Sequence, residues 1–196
     1  MNNGLFILGL ANVAESLGVF WWIWLAERGQ GALGLVVLVS ALATERVSVF
    51  LTIKQLYGEN PPQRNIAPTL FGTAVLEMLM WGSWLFLVDA IGGNAGHIIG
   101  FLVFIVTNLL VHSVQAAFVL QTPLLYFVSN TKTIVFSIIE AAAGAAFLLL
   151  FRGDQVLLGA AVLFIAISIE HLIQASLLED VPDLIERAKG KRLPVA

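Results

Sequence analysis

The sequence lacks cysteine and carries few charged residues. Of its 196 residues only 12% are charged, whereas a soluble domain usually carries about 25%. The absence of cysteine excludes disulfides, thiolate nucleophiles and metal sites with cysteine ligands. The six prolines lie outside the long apolar segments or at their ends, so the segment interiors contain no helix-breaking residue. The remaining composition, 59% apolar, is typical of a membrane protein.

Long apolar segments predict six transmembrane helices, because each segment is about 20 residues long and ends at glycine, proline or charge. The segments cover about 5–26, 34–57, 67–91, 98–121, 133–151 and 156–178. The predicted fold is therefore all-α, a polytopic membrane protein with one transmembrane domain at 1–178. Trp21, Trp22 and Trp24 are expected to be interfacial anchors at the end of the first helix.

Charge outside the helices predicts the orientation of the chain. Lysine and arginine concentrate on the side of the two termini, so the positive-inside rule predicts that both termini are cytoplasmic and that the chain lies in the cell membrane. An amphipathic cytoplasmic tail with a basic end is expected at 179–196.

The six predicted helices form three hairpins that repeat one pattern, at about 5–57, 67–121 and 133–178. Glu15, Glu77 and Glu140 are separated by 62 and 63 residues, and an aromatic residue follows each of them seven positions later. These aromatic residues are Trp22, Trp84 and Phe147. The spacing predicts a six-helix bundle with pseudo-threefold symmetry, in which the aromatic residues cap the level of the glutamates.

The second helices of the hairpins show the same repeat. The helices align on Gly34, Gly100 and Gly159. Twelve residues later the aligned positions hold Arg46, His112 and His171. Two histidines and an arginine therefore occupy one level of the predicted bundle.

Seven ionisable side chains lie in the middle of the predicted helices. They are Glu15, Glu45, Glu77, His112, Glu140, Glu170 and His171. Each such group costs about 2.5 kcal/mol or more at the bilayer centre, so the side chains are expected to turn away from lipid and converge in one polar pocket. At least one glutamate is expected to be protonated at pH 7, because five carboxylates in a low dielectric cannot all ionise without bound cations.

This set of side chains favours a cation site. Carboxylates with imidazole suit a divalent transition metal such as Fe, Mn or Zn, and carboxylates alone suit protons or hard cations. The favoured hypothesis is therefore a site for a divalent metal or protons, most simply for transport. The expected partners are the lipid bilayer and a small cation or a lipid-soluble small molecule, with no nucleic acid.

Two enzymatic hypotheses remain open, so the sequence does not decide whether the protein is an enzyme. Four carboxylates and two histidines form di-iron or di-manganese centres in helix bundles, and such a centre would act on a lipid-soluble substrate. Here, however, Glu170 and His171 are adjacent instead of three residues apart, so the usual geometry is not available. As a less favoured hypothesis, His112 and His171 hold haem b.

Overall fold

A computed structural model describes residues 3–57, 66–120 and 130–190 of the chain. Over these residues the chain forms six helices. They are α1 (Asn3–Ala26), α2 (Gly31–Tyr57), α3 (Ile66–Ile91), α4 (Gly93–Leu120), α5 (Thr131–Arg152) and α6 (Val156–Gly190). The predicted all-α fold with six helices is confirmed.

Two helices are longer than the sequence predicted. Helix α4 begins at Gly93, directly after the turn residue Gly92 and five residues before the predicted start at 98. Helix α6 continues to Gly190, so the segment predicted as a separate tail begins as an extension of this helix. Residues 191–196 of the predicted tail lie outside the described residues.

Within the described residues, five helices contain an apolar stretch long enough to cross a membrane. The stretches are Gly31–Ser48, Pro68–Ile91, Gly93–Gln115, Thr131–Arg152 and Val156–Ile173. Large apolar side chains such as Phe71 and Phe86 are exposed, whereas Glu77 and Glu140 are buried. This distribution is the reverse of that in a soluble domain, and it is the one that a lipid environment requires. The chain is a multi-pass helical membrane protein.

The helices pack as a closed ring. Within the described residues, each helix packs mainly against its neighbours in sequence, and α6 returns to α1. The most extensive contacts lie within the pairs α1–α2, α3–α4 and α5–α6, which are therefore three helical hairpins. We call the end of the ring that carries the three hairpin turns the turn end, and the opposite end, where α1 begins, the terminal end.

Each of the three hairpin turns contains a residue with a positive φ angle. Gly29 has φ 76°, Gly92 has φ 70° and Asp154 has φ 60°. Glycine reaches this left-handed conformation without a Cβ clash, and aspartate is one of the few other residues that tolerate it. In the first and third turns the next residue donates its N–H to the carbonyl five residues earlier, at 2.9 Å and 2.8 Å. The first and third turns therefore share one backbone conformation.

Each hairpin also contains a glycine in its second helix that lies against an aromatic residue of its first helix. The pairs are Gly34 with Trp22, Gly100 with Trp84, and Gly159 with Phe147. A Cβ built on these glycines would lie 2.8 Å, 3.2 Å and 2.8 Å from the facing ring. The aromatic side chains are buried, so glycine is what allows the two helices of each hairpin to approach this closely.

The prediction that Trp22 anchors the lipid interface is wrong. Its side chain is only 5% exposed and packs inside the ring, because the facing glycine leaves room for an indole there. Its neighbour Trp21 is 42% exposed, as an interfacial side chain would be.

At the turn end, Arg152 connects the three odd-numbered helices. Its guanidinium donates hydrogen bonds of 3.1 Å and 2.6 Å to Glu27 and one of 2.6 Å to Asp89. Each of these three residues lies 12 residues after the mid-helix glutamate of its own hairpin. Equivalent positions of the three hairpins therefore meet, as a pseudo-threefold arrangement requires.

The glycine–aromatic contact predicts a specific effect on stability. Gly159→Ala should lower the melting temperature of the purified protein in detergent, because Phe147 is fully buried and has no free space into which to move. Overpacking of this kind costs about 1–3 kcal/mol.

The matched control is Gly72→Ala in α3, where no atom lies within 4 Å of the added Cβ. This variant should be as stable as the parent or more stable, since alanine favours the helix by about 1 kcal/mol. Equal melting temperatures for Gly159→Ala and the parent would contradict the proposed contact.

Candidate cation site

The seven mid-helix side chains come from all six helices, and none is more than 9% exposed. They are Glu15 on α1, Glu45 on α2, Glu77 on α3, His112 on α4, Glu140 on α5, and Glu170 and His171 on α6. Because a helix satisfies its own backbone hydrogen bonds, these side chains must find polar partners in the ring interior.

Arg46 lies among the carboxylates and contacts two of them. Its guanidinium is 2.6 Å from a carboxylate oxygen of Glu45, and it also donates to Glu77. Arg46 is only 3% exposed, and an isolated charge at such a depth would cost several kcal/mol. The pair with Glu77 therefore holds α2 against α3 at this level, and both pairs neutralise part of the acidic charge.

His171 is oriented by its own helix. Its Nδ1 atom lies 2.9 Å from the carbonyl oxygen of Ile167, one turn earlier, so a neutral imidazole donates its proton there. The Nε2 atom then faces Glu15 at 3.3 Å and Glu45 at 3.9 Å. Within the described residues Nε2 makes no hydrogen bond. A lone pair that faces carboxylate oxygens needs a proton or a metal ion between them.

Asn108 connects Glu140 with the second histidine. The side-chain amide of Asn108 donates a hydrogen bond to Glu140. The backbone carbonyl oxygen of Asn108 lies 3.0 Å from Nδ1 of His112. The ring of His112 packs edge-on against Phe136, with 4.7 Å between the ring centres. The second carboxylate oxygen of Glu140, Oε1, is buried and has no hydrogen bond within the described residues.

Ligand atoms converge in two sets. Glu15, Glu170 and His171 can each offer a donor atom within 4.8 Å of the other two, and so can Glu15, Glu77 and Glu140. Glu15 belongs to both sets. Glu45 lies beside them through His171 and Arg46, whereas His112 belongs to neither set and contacts the backbone carbonyl of Asn108.

Acidic groups outnumber fixed positive charges in this cluster. Among the described residues, the cluster contains five glutamates, one guanidinium, that of Arg46, and two histidines. In a low dielectric such an excess of carboxylates is stable only if protons or metal ions neutralise it. The cluster is therefore compatible with cation binding.

Sequence reasoning missed several polar residues near this cluster. Asn12 and Ser137 are buried and lie three residues before Glu15 and Glu140, so they project from the same helix faces as the glutamates. Thr133, a further turn away on α5, is also buried. Their helical spacing was a usable signal, but serine, threonine and asparagine are common in membrane helices and attract less notice than ionisable groups.

The fold and the site define a class: a polytopic helical membrane protein with a buried carboxylate–histidine cluster. Comparison with known protein families, with curated proteins and with solved structures finds no match to this chain. The chemistry of its own residues therefore carries the functional argument.

The ion pairs of Arg46 predict a strong dependence of folding on this side chain. Arg46→Met should destabilise the protein by about 3–5 kcal/mol, because Glu45 and Glu77 then lose a buried counter-charge. The measurement is thermal unfolding in detergent.

The double variant Arg46→Met with Glu77→Gln should recover part of the lost stability, since it removes one of the two uncompensated carboxylates. Additive losses in the double variant would show that Arg46 and Glu77 do not interact.

Proposed function

We propose that this protein binds a cation, a divalent metal ion or protons, in the buried cluster and moves it across the membrane. The observation that carries the proposal is the convergence of carboxylates from three equivalent helices next to an imidazole nitrogen without a hydrogen bond. In a purely structural cluster each carboxylate would be paired with a fixed positive charge. Arg46 neutralises only part of the acidic charge. Mobile cations are the remaining source of positive charge.

The arrangement of donors suits a transported ion. Imidazole and carboxylate together favour Mn²⁺, Fe²⁺ or Zn²⁺, and two of the ligands have a further partner that orients them. Asn108 holds one oxygen of Glu140, and Ile167 holds the opposite nitrogen of His171. We further propose that the protein lies in the cell membrane with both termini in the cytoplasm, as its basic residues indicate.

Transport can be tested with Mn²⁺ as the probe. In proteoliposomes the parent protein should carry Mn²⁺ down its gradient, measured with a metal-sensitive dye inside the vesicles. Glu15→Gln should lower the uptake to that of protein-free vesicles, because Glu15 contributes to both donor sets.

Asp154→Asn is the matched control. Asp154 is exposed in a turn far from the cluster, and asparagine tolerates its positive φ angle. This variant should transport at the parent rate. If the parent moves neither Mn²⁺ nor protons, followed with a pH-sensitive dye, the proposal is wrong.

A membrane metalloenzyme is the second candidate function, and one observation favours it. An apolar groove of about 240 Å³ lies between α1 and α6, and Ser16, the neighbour of Glu15, lines it together with Leu17 and Leu163. Such a groove would admit a lipid-soluble substrate beside the cluster. Tightly bound iron or manganese in the purified protein, without ion movement, would favour this candidate.

Haem b is the least supported cofactor. His112 packs against Phe136 and belongs to neither donor set. These contacts favour a role of its ring in helix packing over a role as an axial ligand of haem iron. The visible spectrum of the purified protein tests this directly, because bound haem absorbs strongly there.

A further inference from the structure

The shared position of Glu15 points to two cation positions in the cluster. We propose that the protein binds two divalent ions side by side, with the carboxylate of Glu15 as the bridge between them. This inference rests on the proposed cation binding and adds the number and arrangement of the ions.

The first position lies between Glu15, Glu170 and His171. The independent observation here is Nε2 of His171, which is buried, has no hydrogen bond within the described residues and faces the carboxylate of Glu15. Its opposite nitrogen is held by a backbone carbonyl, the usual arrangement for a metal-binding histidine. One nitrogen and two carboxylates suit a divalent transition metal.

The second position lies between Glu15, Glu77 and Glu140. Oε1 of Glu140 is buried and has no hydrogen bond in the described part of the chain, while its other oxygen is held by Asn108. Arg46 holds one oxygen of Glu77 in the same way. An all-carboxylate set suits a harder ion, and Mn²⁺ is compatible with both positions.

The two proposed ions would lie close together. The donor atoms of each set lie within 4.8 Å of one another, and the sets have one side chain in common. Two ions bridged by a carboxylate are about 3.5–4 Å apart in two-metal sites. The repulsion between them is offset by the excess of carboxylates over Arg46.

Equilibrium binding of Mn²⁺ to the purified full chain tests this inference. The parent should bind two ions per chain, and its EPR spectrum should show the magnetic coupling expected of a bridged pair. His171→Ala and Glu140→Gln should each bind one ion and give the spectrum of isolated Mn²⁺. Asp154→Asn should bind two, as the parent does.

The outcomes separate this inference from the proposed function. A parent that binds one ion and still transports Mn²⁺ would overturn the two-ion arrangement and leave transport standing. A parent that binds no Mn²⁺ would overturn both this inference and transport of a divalent ion, and the pH-sensitive dye then tests proton movement separately. Two ions without magnetic coupling, or two ions retained in both single variants, would also overturn the shared bridge.

A different set of observations concerns access to the cluster. Between the cluster and the turn end the ring is filled by buried aromatic side chains. Trp81 lies 4.6 Å from Phe104 and 5.5 Å from Trp84, measured between ring centres. Trp22 and Phe147 are buried at the equivalent level of the other hairpins. We call these five side chains the aromatic layer.

Beyond the aromatic layer, Arg152 binds Glu27 and Asp89. These residues lie 12 positions, or about 18 Å of helix, from the glutamates of the cluster. The contact therefore joins α1, α3 and α5, the helices that also bring Glu15, Glu77 and Glu140 together.

Toward the terminal end the buried residues next to the cluster include four polar side chains: Asn12, Thr73, Thr133 and Ser137. Within the described residues the hydroxyls of Thr133 and Ser137 have no hydrogen bond, although both side chains are fully buried. Buried hydroxyls of this kind are places where water or an ion binds.

From this asymmetry we infer that the cation enters the cluster from the terminal end. The aromatic layer and the Arg152 contact close the turn end in this conformation, and that contact must break for the ion to leave there. The inference rests on the proposed transport, since only a transported ion needs two separate exits.

The absence of cysteine makes the test direct. Ser137 and Ala143 are buried positions of α5, three residues before and three residues after Glu140. Ser137→Cys and Ala143→Cys therefore place a thiol on opposite sides of the cluster. A water-soluble cationic thiol reagent should modify Ser137→Cys about tenfold faster, because buried hydroxyls lie on its side of the cluster and the aromatic layer lies on the other side. Thr133→Cys should also react fast and serves as a second variant if Ser137→Cys fails to fold.

Breaking the contact at the turn end provides the complementary measurement. Arg152→Gln added to Ala143→Cys should raise the modification rate of that cysteine, whereas Asp154→Asn should not. Equal or slower reaction at Ser137→Cys and Thr133→Cys compared with Ala143→Cys would overturn the inferred direction. Transport that persists alongside that result would leave the proposed function in place.

Discussion

Burial of excess acidic charge is the constraint on which the structure depends. Five glutamates and one arginine lie inside a ring whose outer surface is apolar, and lipid offers them no hydrogen bonds. Every helix must therefore turn one narrow face inward and meet its partners at one level. The lipid-facing positions have no such requirement, and they accept large apolar side chains such as Phe86 and Leu157.

Close packing brings the acidic groups within reach of one another. Glycines of the second helices lie against buried aromatic rings, and Gly144 of α5 lies against Trp81 of α3 in the same way. These contacts fix the separation and rotation of helices that are far apart in sequence. Arg46, Asn108 and the carbonyl of Ile167 then orient individual side chains of the cluster.

The three hairpins use equivalent positions for opposite purposes at two levels. At the turn end the equivalent residues are Glu27, Asp89 and Arg152, and the arginine neutralises much of the acidic charge of the other two. At mid-helix the equivalent residues are Glu15, Glu77 and Glu140, which contain no cation of their own. The two levels therefore differ by one change of sign, because the turn-end set contains its own cation and the mid-helix set consists of three glutamates.

The sequence by itself determined the number of helices, the hairpin order and the identity of the ionisable groups, because hydropathy and spacing are local properties. Only the tertiary structure decided which groups touch. It placed Arg46 against Glu77 and Asn108 between Glu140 and His112. It also turned Trp22 inward and brought Arg152 into contact with Glu27 and Asp89. These contacts depend on the rotation of each helix about its axis, and that rotation is set by packing between hairpins that no local pattern records.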